Sequence, residues 1–185
     1  MKKSALLFFV LCPLITQAQF YKSVIPDKKF SEPLSLIVKA FKNNYSILKG
    51  DEELADGISH HYECIIKLPG EITSGLVYYN SKEDTSDAYE ALFYQGDDYK
   101  TAARIYRSLC YDVKKPMKWT GSSYAQFRGN IEDPSPGQKF TTTLLHFDQP
   151  EKIYRDYYAQ VDFILLVGKF TVTLNLVTKK PDDIE

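Results

Sequence analysis

The chain has 185 residues, 44% of them hydrophobic, and its 23 lysines and arginines nearly balance 24 aspartates and glutamates, leaving a net charge of −1. So weak a charge, with no basic block, argues against a nucleic-acid partner. The length suits one domain that buries about 70% of its unfolded-chain surface, so neither a metal nor a dense disulfide network is needed to fold it.

The opening residues, MKKSALLFFVLCPLITQAQF, place Lys2 and Lys3 before an apolar run from Ala5 to Ile15 and bring Thr16-Gln17-Ala18 to a small residue. That is the layout of a secretory signal peptide. A membrane-spanning helix requires about 20 apolar residues, and this run is little more than half that and contains Pro13. Leu11 and Pro13 around Cys12 do not form a lipoprotein cleavage box. No later segment has the length and apolarity of a transmembrane helix. The expectation is export to the periplasm or the exterior with cleavage after Ala18, an N-terminal extension over residues 19–30, and a single domain over 31–180. Cleavage removes Lys2 and Lys3 and shifts the net charge from −1 to −3.

Ser31-Glu32-Pro33 predicts a helix start, and Leu34, Val38, Phe41, Tyr45 and Leu48 recur at helical spacing as far as the stop at Lys49-Gly50. Asp51-Glu52-Glu53 and Asp56-Gly57 lack the EF-hand spacing and read as a solvated acidic connector. Three β-rich runs follow, Ser59–Leu68, Ser74–Asn80 and Ala88–Gln95. Asp97-Asp98 opens a second helix with Tyr99, Ala103, Tyr106, Cys110 and Val113 on one stripe, closed by Lys114-Lys115-Pro116. The C-terminal part predicts strands at Phe140–Phe147, Tyr157–Val167 and Phe170–Thr178, with a tight turn at Gly168-Lys169. In the last, Phe170, Val172, Leu174 and Leu176 alternate with Thr171, Thr173 and Asn175, so one face is buried and the other wet.

The fold class expected from this order is α+β, two helices packed on one face of a mainly antiparallel sheet. The two helical stripes lie 65 residues apart, and the same offset carries the first β run onto Tyr124–Asp133 and the second onto Lys139–Leu145. A duplicated helix-plus-three-strands unit, with repeats 31–96 and 97–180, is the finer expectation.

Two histidines and a cysteine crowd the stretch GISHHYECIIKLPG. Alternation puts His60, Tyr62, Cys64, Ile66 and Leu68 on one side of the strand and His61, Glu63 and Lys67 on the other. Cys12 leaves with the signal segment, so Cys64 and Cys110 are the two cysteines of the exported domain, and an even number in an oxidising compartment reads as a disulfide. A bridge closing a loop of about 46 residues is worth on the order of 4 kcal/mol in the chain-entropy model. A metal site would need three or four ligands, and beyond His60, Cys64 and His146 no Cys-x-x-Cys or helical His-x-x-x-His supplies them. Neither a metal nor a cofactor is expected. Gly121-Ser122-Ser123 lacks the Gly-x-Ser-x-Gly elbow.

Fourteen tyrosines are the compositional oddity. Tyr78, Tyr79, Tyr89, Tyr94, Tyr154, Tyr157 and Tyr158 fall on or beside β runs, as a binding surface or as half-buried strand residues. The functional expectation is a non-catalytic binding or adaptor domain acting through its sheet surface and loops on a protein, peptide or glycan. The alternative is an envelope hydrolase using a thiol or metal around Cys64, His60 and His146. A third reading is an assembly subunit joined through Phe170–Val177 as an open sheet edge.

Overall fold

The computed structural model describes residues 28–80 and 87–179. The expected signal segment, most of the expected 19–30 extension and residues 81–86 therefore lie outside the described residues.

Helix α1 runs from Lys28 to Ala40 with Pro33 inside it. It starts a turn earlier than Ser31 because Phe30 is apolar: its side chain is buried, with its ring 6.3 Å from that of Phe93. Beyond Ala40 the chain tightens into 3-10 turns at Phe41–Asn43 and Ser46–Leu48. Between them Asn44 and Tyr45 take left-handed backbone angles, φ 50° and 55°. The stripe residues Phe41, Tyr45 and Leu48 are still buried, though no α-helix carries them.

Strand β1, Lys49–Ala55, stands where the acidic connector was expected. It pairs antiparallel with β2, Ser59–Cys64. The turn between them is closed by Asp56 Oδ1, which accepts from the backbone N–H groups of Ile58 at 2.8 Å and Ser59 at 2.6 Å. Six of the seven β1 residues are exposed, so both faces are wet and the strand has no period-2 apolar signature. Its charges and its two register shifts suit an edge strand that must not pair with other chains.

Strands β3, Thr73–Tyr79, and β4, Ala88–Gly96, complete the first half. Helix α2, Tyr99–Lys114, is capped by Asp98, whose carboxylate accepts from the N–H groups of Lys100 at 3.0 Å and Thr101 at 3.2 Å. Its buried stripe is Ala102, Ala103, Tyr106, Leu109, Cys110 and Val113. Three two-residue strands follow, β5 at Met117–Lys118, β6 at Tyr124–Ala125 and β7 at Phe127–Arg128. The long strands β8, Phe140–Phe147, β9, Tyr157–Leu166, and β10, Lys169–Thr178, end the described chain.

The main sheet has eight strands in the order β1-β2-β3-β4-β10-β9-β8-β7, and every neighbouring pair is antiparallel. β5 and β6 form a separate ribbon. Two helices on a large antiparallel sheet is the α+β class read from the sequence. The duplicated unit is not confirmed. The Tyr124–Asp133 stretch breaks into β6 and β7, which join different sheets. The open-edge reading of Phe170–Val177 is corrected: β10 lies inside the sheet, hydrogen-bonded to β4 on one side and β9 on the other.

Register rows fix which face is the core. Tyr62, Leu76, Tyr89, Leu176, Ala159 and Leu145 are directly opposite one another across six strands. This face meets the helices, and the last five of the row are buried. Phe41 stacks on Tyr157 with ring centroids 4.3 Å apart, and Trp119 meets Phe147 at 5.2 Å and Tyr154 at 5.5 Å. Each large side chain buried this way is worth about 1.5–3 kcal/mol.

Candidate functional site

The second face of the sheet carries neither helix. Its rows are Thr73, Leu92, Thr173, Asp162 and Thr142, and beside them Glu63, Gly75, Glu90, Asn175, Gln160 and Leu144. The alternation of Thr171, Thr173 and Asn175 in the sequence announces this wet face, because successive strand residues point to opposite sides. Glu90 and Asp162 were not singled out by sequence, since isolated acids on strands have no motif to mark them, and Glu53 was read only as part of the acidic connector.

Asp162 is buried at the centre of this face. Its carboxylate accepts from Thr142 Oγ1 at 2.6 Å, Gln160 Nε2 at 2.8 Å and Asn175 Nδ2 at 3.0 Å. Three donors on one carboxylate offset its desolvation and lock the surrounding side chains into one arrangement. Beside this network lies a shallow hollow of about 220 Å³ lined by Glu53, His61, Thr73, Gly75, Glu90 and Asn175 among others. Gly75 sits between Glu63 and Glu90 in the row, so no side chain separates the two carboxylates. Glu90 is exposed, yet partial desolvation against the sheet raises its pKa above the usual carboxylate range, with His61 acting the other way.

The sequence-derived candidates are dispersed. His60 Nδ1 is 2.7 Å from Glu52 Oε1 on the β1–β2 hairpin, and its ring stacks on Tyr62. His61 Nε2 shares a 3.0 Å hydrogen bond with Ser59 Oγ and belongs to the helix-free face. His146 lies on β8, where Nε2 donates to the Arg155 carbonyl at 2.8 Å. β2 and β8 are five strand spacings apart in the sheet, about 24 Å along it. Cys64, His60 and His146 are therefore not one site. Among the described residues no group of three or more His, Cys, Asp or Glu is placed to hold a metal ion.

Cys64 and Cys110 are both free and buried. Burial pushes both thiols up, that of Cys110 to about 11, whereas a nucleophilic cysteine needs a lowered value. Cys110 belongs to the buried stripe of α2. Cys64 is the last residue of β2 and belongs to the same core cluster. Cys64 stands on β2 and Cys110 on α2, and no disulfide joins them in this structure.

The tyrosines do not form one surface: Tyr89, Tyr154 and Tyr157 are fully buried, while Tyr78, Tyr79, Tyr94 and Tyr158 are partly covered. The segment Asp133–Gly137 is pinned by Arg107 on Asp133 and by Tyr99 OH on the Pro134 carbonyl. No described helix is long and apolar enough to cross a membrane. Comparison with protein-family models, with curated proteins and with solved structures finds no match.

Proposed function

We propose that the protein is an exported, non-catalytic binding or adaptor domain, periplasmic or secreted, whose protein, peptide or glycan ligand docks on the helix-free sheet face. The observation that carries this reading is the polar row of that face, where hydrogen bonds to Asp162 hold the side chains in place beside a hollow flanked by Glu53 and Glu90. A rigid surface loses little entropy when a ligand settles on it. Two acids and one histidine favour a ligand that brings cationic groups.

The hydrolase alternative draws no support from the positions of Cys64, His60 and His146. For export, the support is the basic, apolar and small-residue order of residues 1–18. After expression of the whole chain, the protein should be recovered outside the cytoplasm beginning at Gln19; its retention in the cytoplasm with Met1 in place would overturn export. Docking is tested with a photo-crosslinking residue placed at Thr73, in the hollow. It should give a discrete adduct in cells that Glu90→Lys abolishes. No adduct, or an equal yield from the same crosslinker at Tyr111 on the exposed back of α2, would refute the reading.

A further inference from the structure

We infer that a second site, chemically unlike the hollow on the sheet face, lies where the β5–β6 ribbon meets β7, and that it takes a neutral polyhydroxylated ligand such as a sugar ring. It does not rest on the function proposed above. The cavity there is about 430 Å³ and is lined by Pro116, Tyr124, Ala125, Gln126, Arg128 and Asp148. That volume falls within the about 300–1,000 Å³ of small-molecule pockets, which combine apolar walls with a few fixed polar groups.

The polar groups here are fixed. Arg128 Nε donates to Asp148 Oδ2 at 2.5 Å. The Gln126 side-chain amide, oriented with its oxygen toward the guanidinium, accepts from Arg128 Nη2 at 2.6 Å. The backbone ties the same residues together, since Asp148 N donates to the Gln126 carbonyl at 2.9 Å. A guanidinium held between two acceptors presents its remaining N–H groups in one plane and one direction. Such an exposed ion pair contributes little to stability, so the fold does not account for it.

Charge and shape select the ligand. The guanidinium and the carboxylate cancel, so neither an anion nor a cation gains a net attraction. Adjacent donors and acceptors suit vicinal hydroxyls, each of which donates and accepts. Tyr124 is 56% exposed and stands beside Pro116 in the lining, giving the apolar C–H face of a pyranose a ring to pack on. The pocket lies at the β7 end of the sheet, and the hollow of Glu53 and Glu90 at the β1–β4 end.

The test is a two-dimensional NMR titration of the whole protein with glucose, N-acetylglucosamine, mannose and galactose, with glucuronate and glucosamine as charged controls. At least one neutral sugar should shift the Ala125 and Gln126 amides and the Arg128 Nε–H saturably. Tyr124→Ala and Arg128→Gln should each weaken that binding about tenfold or more. Both side chains are exposed, so the melting temperature should stay unchanged, and a variant that melts early is replaced by Tyr124→Ser or Arg128→Met. The inference fails if no neutral sugar gives saturable shifts here, if both variants bind as the parent does, or if a charged control binds better. Shifts at Gly75 and Glu90 without shifts at Ala125 also overturn it, and leave the sheet-face reading standing.

Discussion

Tyr45 shows how much a single side chain can hold. Its left-handed backbone, φ 55°, turns the ring inward, where it is fully buried, and its hydroxyl meets that of Tyr157 at 2.9 Å and the Leu176 carbonyl at 3.5 Å. Those contacts join the end of the first helical segment to β9 and β10, more than a hundred residues on. Tyr45→Phe removes one hydroxyl and leaves that of Tyr157 in the core without it. The expected cost is about 1–2 kcal/mol, read as a lower urea midpoint at unchanged slope; an unmoved midpoint would show that the pair contributes nothing. The burial of Tyr45 was legible from its place on the apolar stripe. Its partner was not, because a hydroxyl contact across the fold leaves no local pattern.

At the scale of elements, the β9–β10 hairpin carries a correctable flaw. Its turn is Val167-Gly168, one residue before the expected Gly168-Lys169, because Leu166 pairs with Lys169. Both turn residues have positive φ, 49° and 75°, the pattern of a two-residue turn that prefers Asn-Gly. Valine pays for its Cβ in that region and packs on nothing in return, being 94% exposed. Val167→Asn should stabilise the protein by about 1 kcal/mol, visible by calorimetry as a rise of a few degrees in Tm; no rise would mean the turn relaxes without cost. The strands β2, β3, β4, β8, β9 and β10 were legible because each buries one face and so alternates or concentrates apolar residues. β1 was not: with both faces in water its seven residues read as an acidic loop, and only pairing with β2 makes it a strand.

For the whole molecule, the buried tyrosines set the alkaline limit. Burial raises the pKa of Tyr45, Tyr89, Tyr106, Tyr154 and Tyr157. Each keeps its proton in the fold at pH values where the unfolded chain, with tyrosines titrating near about 10, has lost it. The unfolded state then binds fewer protons than the native one, so stability falls as pH rises through that range. Cys110, raised to about 11, adds to the decline from the ordinary thiol range upward. Tyrosinate absorbance from these rings should therefore appear together with the loss of circular dichroism, in one transition above pH about 10. Full ionisation of every tyrosine with the ellipticity intact would contradict the burial of these hydroxyls.

The amino-acid sequence by itself determined the helices, the long strands and their class of packing, because apolar periodicity and capping act between residues close along the chain. The export signal expected of residues 1–18 rests on the same local order. Only the tertiary structure decided which residues meet. It put β10 in the middle of the sheet, left Cys64 on β2 and Cys110 on α2 as buried free thiols, and separated His60 from His146. It also gathered Glu53, Glu90 and Asn175 into one hollow and Tyr124, Arg128 and Asp148 into another. Strand order is chosen by burial summed over the whole core, and no stretch of sequence contains that sum.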